Sequence, residues 1–185
     1  MRIFVSYPHP DDESFGPSAL LARYAREGAE ITGLFFTRGD AGDSHLRPRP
    51  TSEELAALRE QDLRDATAAI GFKAIEVLGY VDGGLAEVPV RELEAHVERH
   101  LRAVEPDVVI TFGPAGITRH PDHVTIHRAT HAVFHRLREE GVPLQELYYD
   151  AMPPERAAER GLQDEPDGQA NTIINVADKI GRAHV

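Results

Sequence analysis

Short apolar runs alternate along this chain with stretches in which apolar residues return every three or four positions. The runs at 2–7, 31–37, 74–78, 107–112 and 146–150 predict five strands, and the last but one, Asp107-Val108-Val109-Ile110-Thr111-Phe112, has the continuous apolar character of a buried one. Between them, Leu20, Leu21, Tyr24 and Ala25 form the stripe of a helix that Pro17 opens and Gly28 closes. A second helix is predicted from about Ser52 to Ile70, capped by Thr51 or Ser52 with glutamates behind and ended by Gly71. A third covers roughly 90–104, and a fourth reaches about Glu139. Polar connections fill 38–50 and 79–84, and the Pro-, Glu-, Arg- and Gly-rich segment 153–170 reads as an exposed loop.

Strands alternating with helices imply an α/β fold, a Rossmann-like three-layer sandwich around a mostly parallel sheet. Length and the absence of a composition break suggest one domain over 1–185. In the commonest doubly wound arrangement the spatial order is 3-2-1-4-5, so the first and fourth strands lie side by side at the switch point where such sheets bind ligands.

Two polar tracts follow those two strands. They are His9-Pro10-Asp11-Asp12-Glu13 and His120-Pro121-Asp122-His123. Taken singly, the first could be a helix cap rich in acids and the second a turn. Taken together at one crevice, they supply imidazole and carboxylate groups of the kind that hold a catalytic metal. Dinucleotide binding is the rival at this position, but the first turn lacks the glycine fingerprint, and its carboxylates would repel a pyrophosphate.

Charge and composition narrow the chemistry. Twenty basic residues against 31 acidic ones give a net charge of −11, which argues against nucleic acid or an anionic membrane as partner. With no cysteine, any metal must be held by nitrogen and oxygen. The chain enters its first strand without a basic leader or membrane-length apolar stretch, so cytoplasmic residence without membrane insertion is the default expectation. Nothing in the pattern decides whether it forms a homo-oligomer.

The tracts Pro8-His9-Pro10-Asp11-Asp12-Glu13 and His120-Pro121-Asp122-His123 resemble the signatures of the PIG-L/LmbE-like zinc-dependent N-deacetylases, which remove acetyl groups from N-acetylglucosaminyl conjugates and related amino sugars. Thr37-Arg38-Gly39-Asp40-Ala41-Gly42, Arg59 with Asp62-Leu63, and Leu78-Gly79-Tyr80-Val81-Asp82-Gly83-Gly84-Leu85 extend the resemblance in the family's order. The resemblance implies one Zn2+ per chain on His9, Asp12 and His123, with Asp11 as general base, facing differently from Asp12 in an extended turn. It implies His120 as an imidazolium stabilising the oxyanion, Asp122 orienting His120, and Arg59 with Asp82 holding an amino-sugar substrate. Glu13 reads as a cap or supporting acceptor rather than a catalyst. Two departures stand out: Thr118 replaces a tyrosine found in some members, and the segment ending in Gly181-Arg182-Ala183-His184-Val185 looks short for the family. Hydrolysis of another small amide, ester or phosphate, and a metal-binding domain without turnover, remain as alternatives.

His123, His127, His131 and His135 recur every four residues. Each such step turns about 40° and climbs roughly 6 Å along a helix, so the later three are expected to leave the crevice and form a solvated or interfacial stripe.

Overall fold

The computed structural model describes residues 1–152, 154–159, 161 and 171–176. Strand β1 (Arg2–Tyr7) leads into the four-residue helix α1 (Asp12–Phe15) and then α2 (Ser18–Arg26), followed by β2 (Glu30–Thr37) and α3 (Ser52–Ile70). Next come β3 (Ala74–Tyr80), a single 3-10 turn at Leu85–Glu87, α4 (Val90–Val104) and β4 (Val108–Phe112). The short α5 (Gly116–Arg119), α6 (Pro121–Glu139), β5 (Glu146–Asp150) and α7 (Pro154–Glu159) complete the described elements. The strands form one parallel sheet in the order β3-β2-β1-β4-β5, as the alternation of strands and helices leads one to expect.

β1 shows how the sheet binds two helical layers, because alternate side chains of a strand face opposite ways. Phe4 joins Leu34 and Phe36 against Leu93, Val97 and Leu101 of α4 and Ile126, Val133 and Phe134 of α6. Ile3, Val5 and Tyr7 join Ile31 and Phe35 against Leu21 of α2 and Leu63 of α3. Ser6, a polar residue inside this packing, is satisfied by Thr130 of α6 at 2.9 Å between hydroxyl oxygens and by Thr111, whose hydroxyl donates to its carbonyl at 2.8 Å.

Helix α3 starts where its cap dictates. The Thr51 hydroxyl accepts the Glu54 amide at 3.3 Å, while the Glu54 carboxylate accepts the Thr51 amide at 2.8 Å, closing a reciprocal capping box. Gly71 ends the helix at φ 107°, a left-handed conformation natural to glycine. Within the segment expected to be a loop, Pro154–Glu159 is instead helical, and Ala157 is buried. Residues 162–170 and the segment 181–185 lie outside the described residues.

Candidate metal centre

The first tract leaves β1 and turns sharply. Asp11 has φ 107° and ψ −21°, so the turn is left-handed rather than extended. This conformation costs a non-glycine residue about 1–2 kcal/mol, and the neighbours compensate. Fully buried Glu13 accepts the Asp11 amide through Oε2 at 3.1 Å, which is the supporting role expected of it. Arg59 of α3 donates from Nη1 to Asp11 Oδ2 at 2.8 Å. As a result Asp12 points inward, where it is buried, while Asp11 remains partly open.

Asp12 faces both histidines. Its Oδ2 accepts the His9 amide at 2.9 Å and lies 3.6 Å from His9 Nδ1, and its Oδ1 lies 3.6 Å from His123 Nε2. His9 Nδ1 and His123 Nε2 are 3.2 Å apart. A tetrahedral ion with bonds of about 2.0–2.1 Å would hold its ligand atoms roughly 3.4 Å apart. His9 and His123 therefore fit a zinc-sized cation in donor type and spacing, with one of the two Asp12 oxygens 3.6 Å from each nitrogen. Among the described residues the three-residue groups whose ligand atoms all lie within 4.8 Å of one another are His9, His120 and His123, and His9, Asp82 and Asp122.

Further contacts orient the two rings. His123 Nδ1 lies 3.0 Å from the Gly116 carbonyl and donates to it, and the ring stacks on Phe112 at 4.0 Å. Gly116 has φ 63°, and a Cβ there would lie 2.6 Å from the His123 Cβ, so this close approach requires glycine. His9 Nε2 lies 3.0 Å from Asp82 Oδ1 and 3.1 Å from Asp122 Oδ2. His9 thus offers one nitrogen to each of two clusters. The carboxylates on the Nε2 side already accept backbone amides: Gly83 and Leu85 donate to Asp122 at 2.8 and 3.0 Å, and Ala41 donates to Asp82 at 3.3 Å. They are suited to receive a ring N–H and leave Nδ1 to a metal, an arrangement typical of metal-bound histidines.

This geometry moves three residues from their expected places. The Asp122 carboxylate lies on His9 rather than His120; only its backbone N–H reaches His120, donating to Nδ1 at 3.2 Å. Asp82 likewise sits against His9. The Arg59 guanidinium, expected to hold substrate, is engaged by Asp11, and Gly39 at φ 70° lets the loop pack on its stem, where a Cβ would lie 2.7 Å from Cδ. Sequence reasoning missed the Gly116 carbonyl, although a Gly-Pro-Ala-Gly stretch before the second tract was a visible sign of an unusual turn.

Electrostatics agree with a cation site. Burial alone would lower the His9 pKa, but hydrogen bonds to Asp12, Asp122 and Asp82 push it up to about 11. His123 is lowered, chiefly by burial, and so keeps the neutral imidazole form that a metal requires. The Asp11 pKa is raised by burial and by the charge of Asp12, against the opposing pull of Arg59. The His120 ring lies beside both histidines, with centroids 4.8 Å from His9 and 5.0 Å from His123. Thr118, at the family's tyrosine position, turns its hydroxyl to the Gly116 carbonyl at 3.5 Å. The histidine stripe runs elsewhere: buried His127 donates from Nδ1 to the Phe112 carbonyl at 2.9 Å, and exposed His131 meets the Tyr149 hydroxyl at 2.5 Å.

Residues 4–134 match the model of the family described as PIG-L, GlcNAc-PI de-N-acetylase. The chain belongs to the PIG-L family. Among similar proteins, the 1D-myo-inositol 2-acetamido-2-deoxy-alpha-D-glucopyranoside deacetylase of Kineococcus radiotolerans is 32% identical, with 88% of this chain and 55% of the relative covered. A probable N-acetyl-alpha-D-glucosaminyl L-malate deacetylase 2 of Bacillus anthracis is 33% identical over 66% of this chain and 54% of its own. The chain thus spans a little over half the length of these curated relatives. The N,N'-diacetylchitobiose deacetylase structure from Pyrococcus horikoshii shares the fold, with a TM-score of 0.72 at 22% identity over 96% of this chain and 64% of that one. Among the described residues no helix is long and apolar enough to cross a membrane.

Proposed function

We propose that this PIG-L family member is a metal-dependent hydrolase that removes the acetyl group from the nitrogen of an N-acetylglucosamine-type conjugate. The observation that carries the reading is the 3.2 Å spacing of His9 Nδ1 and His123 Nε2, each 3.6 Å from one of the two Asp12 oxygens, with Asp11 alongside. The two curated relatives, named as deacetylases of glucosaminyl conjugates, support the substrate class. We assign His9, Asp12 and His123 as ligands of a single zinc ion. Zinc bound there would supply Lewis acidity and bring the pKa of water toward about 7.

The chain's own residues carry the protons. Asp11 is the general base, and its raised pKa makes its carboxylate more avid for a proton than an exposed aspartate. Arg59 holds that carboxylate in place from α3. His120 Nδ1 accepts the Asp122 amide, which leaves Nε2 to carry the ring proton. His120 therefore presents Nε2–H as a hydrogen-bond donor to the developing oxyanion. Asp122 and Asp82 fix His9, so both support the ligand set from behind.

Acetate release from a panel of N-acetylglucosaminyl conjugates, measured with metal-replete and chelated protein, tests this reading. Release that disappears on chelation and returns with zinc is expected. Equal rates in the two preparations would refute the metal dependence, and no release from any conjugate would refute the deacetylase assignment.

A further inference from the structure

A cleft of about 430 Å³ opens beside the proposed base, between the first tract, the Asp43–Leu46 stretch and the exposed side of α3. Asp11 lines it, so a sugar whose acetamido group reached Asp11 would extend its other substituent into this space. Two features of the walls stand out. Leu46 and Leu58 are 53% and 44% exposed, leaving apolar surface open at the cleft. The charges are unbalanced: Asp11, buried Glu13, Asp43 and Asp62 line it beside one histidine, His45, and its arginine, Arg59, is held by Asp11 at 2.8 Å.

Resting on the deacetylase reading, we propose that this cleft takes an uncharged, partly apolar aglycone and rejects one that bears a carboxylate. An anionic group placed there would meet Asp43 and Asp62, while Arg59 is already neutralised in part by its pairing with Asp11, so carboxylates outnumber the cationic groups it could pair with. An apolar group would cover Leu46 and Leu58 and gain the usual benefit of buried apolar area. A malate-type conjugate is therefore a poor substrate, and a glycoside with an aryl or alkyl face is a good one. The discrimination comes from Asp43, Leu58 and Asp62, of which Asp43 and Leu58 lie outside the stretches that carry the family resemblance.

Methyl, phenyl and carboxymethyl glycosides of N-acetylglucosamine, matched in anomeric configuration, test the proposal on the zinc-loaded protein. The phenyl glycoside should exceed the methyl one in kcat/KM by about fivefold or more, and the carboxymethyl one should fall about tenfold below it. Leu58→Asp should bring the phenyl-to-methyl ratio to within about twofold of unity. Asp43→Asn with Asp62→Asn should restore the carboxymethyl glycoside several-fold relative to methyl. These are exposed positions, so the variants should fold, and unchanged circular dichroism checks that they do. Calorimetric titration of the chelated protein gives the same ranking as Kd without any turnover. Correct ranking in Kd with no acetate released would count against the deacetylase reading while upholding the cleft assignment. Equal values for all three glycosides, or preference for the carboxymethyl one, would overturn the cleft assignment whatever the rates.

Discussion

Asp11 and Asp12 show how two adjacent identical side chains come to have different tasks. The left-handed backbone at Asp11 turns its carboxylate to Arg59, while Asp12 continues inward to face His9 and His123, the proposed ligands. Asp11→Asn should leave zinc content near one per chain and lower deacetylation by roughly 10²–10⁴-fold, the usual loss for a general base. Asp12→Asn should instead weaken zinc affinity by well over roughly tenfold, because a neutral amide replaces an anionic ligand. Metal analysis beside acetate release separates the two outcomes, and an Asp11→Asn protein with full activity would reject Asp11 as the base. Gly116 sets a second constraint on the same centre. Gly116→Ala places a methyl group 2.6 Å from the His123 Cβ at a positive φ. Stability should fall by about 1–2 kcal/mol, and zinc affinity should fall with it as His123 shifts; denaturant melts and a zinc titration check both.

At the scale of elements, the parts written in local signals were legible in the sequence. Helix α3 runs from Ser52 to Ile70 as predicted because a capping box and a left-handed glycine, both short-range devices, mark its two ends. Thr51→Ala removes the side-chain half of that box and should cost about 1 kcal/mol. Thermal melts measure this loss, and kcat/KM should stay close to the parent value because Arg59 lies two turns further on; an unchanged melting temperature would mean that the box is energetically idle. The sheet order was equally legible, since right-handed crossovers and alternating strands and helices leave few arrangements. Other features were hidden for physical reasons. α5 has four residues and contains Ile117 at φ 58°, too short and irregular to leave a periodic trace. The partner of the Asp122 carboxylate depends on where the loop at Gly83 and Leu85 docks, a long-range event without a local signature, so its pairing with His9 rather than nearby His120 emerged only in three dimensions. The acidic character of the aglycone cleft was obscured likewise, because Asp43 and Asp62 meet only when the 38–50 connection folds back on α3.

Across the whole molecule, parallel strands direct their carboxyl ends to one edge, and acidic side chains gather there: Asp11, Asp12, Asp82, Asp122 and, at the end of β5, Asp150. Asp150 differs from the rest in having, among the described residues, no cationic partner or bound amide to hold its charge. Its carboxyl is enclosed beneath the first tract and accepts the Tyr7 hydroxyl. Burial raises its pKa, the Tyr7 hydrogen bond opposes this, and the charge of Asp12 adds to the rise, giving about 7. The consequence for stability follows from linkage. The folded chain keeps a proton that the unfolded chain releases near pH 4, so folding is favoured most at low pH and loses this contribution as pH rises to about 7. The contribution is at most about 4 kcal/mol. Asp150→Asn retains an oxygen for the Tyr7 hydroxyl but cannot ionise. Denaturant unfolding of both proteins at intervals between about pH 4 and pH 8 should show the variant gaining on the parent as pH rises, then holding its advantage above the pKa of Asp150. A constant difference across that range would mean that Asp150 ionises in the folded protein much as it does in the unfolded chain, and that the edge of the sheet tolerates its charge without penalty.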